Sequence, residues 1–135
     1  MPHRKSLSLH WRRIEERYEM SGTKCATCGE TFFPPRPVCP NCRRKGKLDK
    51  VKLSGNGLIE SHSTVYVPPR GFEYDAPYTL AIVKLDEGPK ITGQIVDVSP
   101  EGVKIGDRVR SVFRKVSEDG HDGIVHYAFK FELVR

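Results

Sequence analysis

Every cysteine of this chain lies in one short stretch, CATCGETFFPPRPVCPNC, which begins with one C-x2-C pair and ends with a second. Zinc prefers four tetrahedral ligands, and C-x2-C spacing lets two sulfurs reach one ion from a single tight turn. Cys25, Cys28, Cys39 and Cys42 therefore predict a metal site, with zinc as the metal and iron as the alternative. Four thiolates leave no position for water or substrate, so the predicted site is structural, and metal binding folds the segment.

The segment before the cysteines, LSLHWRRIEERYEM, has the periodicity of a helix of three to four turns that ends just before Gly22. Leu7, Trp11, Ile14 and Tyr18 fall on one face of this helix. Because an isolated helix of this length is marginal in water, its apolar face must pack against something. Two alternatives remain open: the face covers the protein's own ribbon or barrel, or it docks a partner.

The chain from Gly57 onward predicts five strands separated by turn signals: GLIESHSTVYV, YTLAIVKL, KITGQIVDV, DRVRSVFRKV and GIVHYAFKFEL. Their number and size fit the five-stranded OB barrel, with an SH3-like barrel as the alternative. The predicted protein is therefore mainly β. It consists of an N-terminal helical segment (1–22), a metal-binding segment with the four cysteines (23–54) and a C-terminal five-stranded OB-fold barrel (55–135).

The net charge of +6 comes from the front half of the sequence, where basic residues follow the second cysteine pair. The residues concerned are Arg43, Arg44, Lys45 and Lys47. Such a run is often only a solvated face. It also suits the phosphates of a nucleic acid or of a nucleotide cofactor such as coenzyme A.

OB barrels often bind single-stranded nucleic acid between two loops. Here the composition of one loop favours nucleic acid and that of the other disfavours it. The loop PPRGFEYDAPY offers three aromatic rings that either stack bases or close one end of the barrel: Phe72, Tyr74 and Tyr78. The loop SEDGHDG offers three carboxylates that would repel phosphates: Glu118, Asp119 and Asp122. Nucleic acid is therefore the less favoured partner.

The sequence contains no constellation that predicts catalysis. Its five histidines have no ligand spacing, and no Ser-His-Asp or Cys-His arrangement can be recognised. The longest apolar run is LAIV, far below the roughly 18 residues of a membrane span. The N-terminus also lacks the apolar stretch of a signal peptide. We therefore expect a cytoplasmic, non-enzymatic protein, in keeping with cysteines that remain reduced.

The order of these parts, with FPPR between the cysteine pairs and PYTLAIVKLDEGP in the barrel, resembles the acyl-CoA-associated family of zinc-ribbon and OB-fold proteins. The resemblance covers nearly the whole chain. It implies that residues 23–54 form a rubredoxin-like zinc ribbon and that the four cysteines are zinc ligands. It also implies a protein with no catalysis of its own that works with thiolase-type and acyl-CoA enzymes. In archaea these are acetoacetyl-CoA thiolase and hydroxymethylglutaryl-CoA synthase of the mevalonate route, which the small subunit bridges.

The sequence departs from the family pattern in RRKGKLDKV, where many members have small residues and an aromatic residue after the second cysteine pair. The expected function is a non-catalytic scaffold subunit in a hetero-oligomeric acyl-CoA-handling complex of isoprenoid biosynthesis. Leu7, Trp11, Ile14 and Tyr18 are its candidate docking residues. Coenzyme A is expected at a partner interface, near the four basic residues. The alternative function is a single-stranded nucleic-acid-binding protein.

Overall fold

The N-terminal part of the chain folds into two short helices and a three-stranded sheet. In the computed structural model, which describes residues 7–118 and 120–134, α1 spans Leu7–Arg12 and α2 spans Ile14–Glu19. Strands β1 (Ser21–Cys25), β2 (Thr31–Phe32) and β3 (Leu48–Lys52) form an antiparallel sheet in the order β2-β1-β3. β1 is the central strand, and it leads directly into the first cysteine pair.

The single helix predicted from the apolar periodicity is wrong in two respects. Arg13 has φ −103° and ψ 9°, outside the helical region, so the chain forms two helices of six residues each. The second helix ends at Glu19, and Met20 rather than Gly22 takes the left-handed conformation that follows it, with a φ of 51°. Gly22 lies inside β1, where a Cβ atom would stand 2.5 Å from the Phe32 carbonyl oxygen. A glycine there permits the close approach of β2.

The remainder of the chain forms a closed barrel of five strands, which confirms the expected OB fold. The strands are β4 (Asn56–Val65), β5 (Tyr78–Leu85), β6 (Lys90–Val96), β7 (Arg108–Glu118) and β8 (Val125–Leu133). They are ordered β4-β5-β6-β8-β7, and the barrel closes between β7 and β4. Among the barrel strands of the described residues, only the pairing of β6 with β8 is parallel. A one-turn 3-10 helix, Pro100–Gly102, precedes β7.

The barrel core follows from the alternation of side chains along the strands. On β5, Ala81, Val83 and Leu85 are buried, whereas the residues between them face outward. Phe131 on β8 is fully buried, and its ring lies over Gly93 of β6. A Cβ atom on Gly93 would stand 2.5 Å from that ring, so the glycine makes room for the aromatic side chain.

Contacts within the chain divide it into two compact units, with the boundary between Leu53 and Ser54. The helices and the three-stranded sheet belong to the first unit, and the barrel is the second. The boundary coincides with the glycine-containing sequence SGNG, which the sequence marks as a turn. Across the described ranges, none of the helices has the length and apolar character needed to cross a membrane.

Candidate metal centre

The first pair of cysteines lies in a tight turn at the end of β1. Cys25 is the last residue of the strand, and the Gly29 N–H donates a hydrogen bond of 2.8 Å to its carbonyl oxygen. Gly29 has a φ of +78°, a left-handed conformation that glycine adopts without steric cost. The turn therefore brings Cys28 back toward Cys25.

The second pair repeats this geometry with one difference. The Arg43 N–H donates a hydrogen bond of 2.8 Å to the Cys39 carbonyl oxygen, in the same relation as in the first turn. Arg43 has a φ of 51° where the first turn has glycine. A side chain in this conformation costs roughly 1–2 kcal/mol. The turn thus holds an arginine at a position whose backbone favours glycine.

Hydrogen bonds join the segments that carry the two pairs. The Thr27 hydroxyl donates to the Lys45 carbonyl oxygen at 3.1 Å, and the Asn41 side-chain amide donates to the Glu30 carboxylate at 2.6 Å. Gly46 packs so closely that a Cβ atom there would lie 2.8 Å from the Cβ of Cys39. These contacts fix the two turns against each other.

The four cysteine sulfurs converge on one point. All four Sγ atoms lie within 4.8 Å of one another, with 3.9 Å between Cys25 and Cys42 and 3.6 Å between Cys28 and Cys39. A tetrahedral ion with metal–sulfur bonds of about 2.3 Å requires sulfurs about 3.8 Å apart. The cysteines are therefore positioned to bind a metal. Within the described residues, no other His, Cys, Asp and Glu side chains form such a group of three or more.

The thiols at this site differ in how readily they ionise. A hydrogen bond from the Cys28 backbone N–H is the main cause that lowers the pKa of the Cys25 thiol to about 6. Burial, followed by the neighbouring cysteines, raises the pKa of the Cys42 thiol to about 12. A bound cation offsets the repulsion between four thiolates, so metal binding would release protons from this set.

The basic residues after the second pair form a cluster of neighbouring cations without carboxylate partners among the described residues. Arg43, Arg44, Lys45 and Lys47 are all exposed, and in the part of the chain that the structure describes none of them forms an ion pair. Several other cations do have carboxylate partners: Lys50 with Glu15, Lys90 with Glu60, Arg108 with Asp86, Arg110 with Glu132, Arg114 with Asp97, and Lys115 with Glu118. We call the unpaired group the basic segment.

The four residues of the predicted helical face are divided between the two helices. Leu7 and Trp11 on α1 are 65% and 76% exposed, whereas Ile14 and Tyr18 on α2 are half-buried. The ring of Tyr18 packs edge-on against His10, with centroids 6.2 Å apart. The face is therefore partly used for internal packing, and its N-terminal half remains open to solvent.

The two loops that were considered for nucleic-acid binding use their side chains differently from each other. Tyr78 is buried and packs against Phe72 with ring centroids 6.0 Å apart, whereas Tyr74 is fully exposed. In the other loop, Glu118 pairs with Lys115, Asp122 contacts His121 at 3.0 Å, and Asp119 lies outside the described residues.

Two further exposed residues, Tyr66 and Val67, lie next to the aromatic loop and were not predicted from the sequence. They continue the apolar pattern of β4 beyond its last residue, Val65, and directly precede two prolines. The only sequence signal that could have identified them is this apolar run at the end of a strand, followed by prolines.

Comparison with known families agrees with both units. Residues 14–49 match the family model of a rubredoxin-like zinc ribbon domain, and residues 50–114 match that of a C-terminal OB-fold domain, both described for ChsH2. A DUF35 domain-containing scaffold protein of Methanothermobacter thermautotrophicus is 52% identical over 122 residues, covering 90% of this chain and 92% of that protein. This chain belongs to the DUF35 family. The resemblance found in its motifs is confirmed.

Two further relatives extend the comparison of this DUF35 chain. A probable enoyl-CoA hydratase alpha subunit of Thermomonospora curvata is 29% identical over 96 residues, which cover 71% of this chain and 30% of that longer protein. A solved structure described as an Ltp2-ChsH2(DUF35) aldolase superposes with a TM-score of 0.67 at 24% identity, covering 96% of this chain and 97% of that chain. This second likeness concerns the fold.

Proposed function

We propose that this DUF35 protein is a non-catalytic scaffold subunit that joins enzymes of acyl-CoA metabolism. The observation that carries the proposal is the 52% identity, over nearly the full length, to a protein named as a scaffold. The chemistry of the metal centre agrees with this proposal. Four cysteines would occupy all four coordination positions of a tetrahedral ion and leave none for a substrate. The barrel and the ribbon would then serve to present surfaces.

The proposed metal is zinc, held by Cys25, Cys28, Cys39 and Cys42, with iron as the alternative because both ions accept four thiolates. The metal would supply folding free energy to a sheet whose β2 has only two residues. Thiols that must stay reduced suit a cytoplasmic location, which we also propose.

The proposed partners are acetoacetyl-CoA thiolase and hydroxymethylglutaryl-CoA synthase of the mevalonate route, bridged in a hetero-oligomer. The family resemblance in the motifs suggests this pair. A relative that is named as an enoyl-CoA hydratase subunit supports the wider class of acyl-CoA enzymes. Catalysis would belong to the partners.

We propose that the exposed half of the helical face docks one of these enzymes. Leu7 and Trp11 present large apolar side chains to solvent. Ile14 and Tyr18, on the same predicted face, are half-buried. Tryptophan is among the residues that contribute most to protein interfaces. The ion pair between Glu15 and Lys50 joins α2 to β3, so the position of the second helix is constrained by the sheet.

The double substitution Leu7→Ala and Trp11→Ala tests the function and the docking face together. We expect the affinity for one partner enzyme to fall about 30-fold or more, because truncating a central aromatic residue typically costs 2 kcal/mol or more, whereas the isolated protein should remain folded. The measurement is copurification with coexpressed thiolase and synthase, followed by titration with each purified enzyme.

Val38→Ala is the matched control, since Val38 is also apolar and exposed in the ribbon but lies away from the helices in sequence. Wild-type protein that copurifies with neither enzyme would refute the proposed scaffold function. A double variant that binds both enzymes as tightly as wild type would remove the helical face from the interface.

The basic segment is proposed to contact the phosphates of coenzyme A at an enzyme interface. Its cations have no carboxylate partners in the described part of the chain, so their charge is available to an anion. Nucleic acid is the weaker alternative, because Phe72 and Tyr78 pack on each other.

Replacing Arg43, Arg44, Lys45 and Lys47 with alanine should weaken coenzyme A binding to the assembled complex by about 10-fold or more, through lost charge-assisted hydrogen bonds. Isothermal titration with coenzyme A and with its dephospho form measures the effect. Lys84→Ala, an exposed cation of the barrel, is the control. Unchanged affinity would contradict the proposed contact between the basic segment and coenzyme A.

The same variant tests the nucleic-acid alternative. Submicromolar oligonucleotide binding by the wild type at about 0.15 M salt, lost in this variant, would favour that alternative.

A further inference from the structure

The loop that joins β4 to β5 is ordered by its own hydrogen bonds. The Phe72 N–H donates to the Pro69 carbonyl oxygen, and the Asp75 N–H donates to the Phe72 carbonyl oxygen, each at 3.1 Å. The Gly71 N–H donates to the Glu73 carboxylate at 2.9 Å. Compact loops that are held by their own contacts in this way are frequently functional.

An aromatic contact fixes this loop to the barrel. Tyr78, the first residue of β5, is buried, and the half-buried ring of Phe72 packs against it. Phe72 therefore acts as an anchor for the middle of the loop. An anchored loop has already lost much of its conformational freedom, so binding through it costs less entropy.

Three large apolar side chains of the same loop are directed into solvent. Tyr66 is 74% exposed, Val67 is 89% exposed, and Tyr74 is fully exposed. Tyrosine is enriched in the energetically important centres of protein interfaces. Because internal contacts hold the loop, the exposure of these residues does not result from a lack of structure around them.

The charges on the loop indicate the kind of partner. Arg70 is the only cation among residues 66–77, against the carboxylates of Glu73 and Asp75. The net negative charge disfavours phosphate groups and therefore nucleic acid. It suits a protein surface with cations around an apolar recess, because complementary charges at an interface rim favour correct association.

We propose that this segment is a protein-docking loop, in which Tyr66, Val67 and Tyr74 enter an apolar recess edged by cations on one of the enzymes that the scaffold joins. The inference rests on the proposed scaffold function and adds to it a docking surface on the barrel. Leu7 and Trp11 of the helical face belong to the first compact unit, and the loop belongs to the second. We assign the two surfaces to different enzymes.

The double variant Tyr66→Ser and Tyr74→Ser tests the proposal in the full-length, metal-bound protein. Thiolase and synthase are titrated separately onto immobilised wild-type and variant scaffold. We expect the affinity for one enzyme to fall at least 30-fold while the other enzyme still binds, because two exposed aromatic contacts are lost and the fold is unaffected. Asp75→Asn should change the salt dependence of association with that same enzyme.

Ile105→Ser is the matched control, since Ile105 is also a large, 69% exposed apolar residue of the second unit but lies outside the loop. Retention of both enzymes by the loop variant, with wild-type affinity, would overturn the docking loop and leave the scaffold function intact. Wild-type protein that binds neither enzyme would overturn both. A wild-type homodimer that the double variant converts to monomer would show that a second copy, and not an enzyme, occupies the loop.

Discussion

Replacing Cys25 with serine is expected to remove tight metal binding and to unfold the ribbon while the barrel keeps its structure. Serine is not ionised near neutral pH and cannot replace a buried thiolate ligand. Metal binding supplies about 10 kcal/mol or more in small zinc modules. β2 consists of only two residues and cannot compensate for that loss. The barrel has a separate core in the second compact unit, so its strands should be unaffected.

Metal analysis and amide hydrogen exchange measure these two effects independently. Wild type should contain one metal ion per chain, and the variant should contain almost none and lose protection only at ribbon amides. Ala26→Ser is the control, since Ala26 is an exposed non-ligand residue of the same turn. A wild type that purifies without metal yet has a protected ribbon would contradict the assignment of the cysteines.

Replacing Phe131 with alanine should be the most damaging single change in the barrel. Its side chain is fully buried, and truncating a buried phenylalanine typically costs about 3–5 kcal/mol because a cavity remains. Denaturant unfolding of the metal-bound chain, followed by hydrogen exchange of barrel amides, measures the loss. Ile105→Ala, at an exposed position, should change the free energy of unfolding by less than about 0.5 kcal/mol.

Gly93 provides a sharper test of the same contact. Gly93→Ala alone should destabilise the barrel by about 1–3 kcal/mol, since the new Cβ atom would stand 2.5 Å from the Phe131 ring. In the Phe131→Ala background the clash is absent, so the same change should be nearly neutral. Additive effects of the two substitutions would show that the ring does not occupy the space above Gly93.

The four cysteines that are positioned to bind a metal could be predicted from the sequence because the spacing that brings them together is local. Two C-x2-C pairs each require one tight turn, and the structure brings all four sulfurs within 4.8 Å. The five barrel strands were predicted for a similar reason, since alternating and β-branched residues indicate a strand without reference to distant residues. Their closure in the order β4-β5-β6-β8-β7 agrees with the expected OB fold.

The helical face shows where local pattern is insufficient. Its periodicity predicted one helix, but the backbone at Arg13 leaves the helical region, and the two halves of the face have different exposure. Periodicity reports which residues could share a face. It does not report whether a neighbour covers them, because burial depends on tertiary contacts.

The sequence also did not show which aromatic residues in and next to the β4–β5 loop are buried and which are exposed. Phe72 and Tyr78 pack together, whereas Tyr74 projects into solvent, although all three lie in the same short segment. Residue type and spacing were sufficient to predict the cluster of four cysteines, the strands and the excess of basic residues. The folded chain was needed to show which aromatic residues are buried and which cations lack partners, because both depend on residues far apart in the sequence.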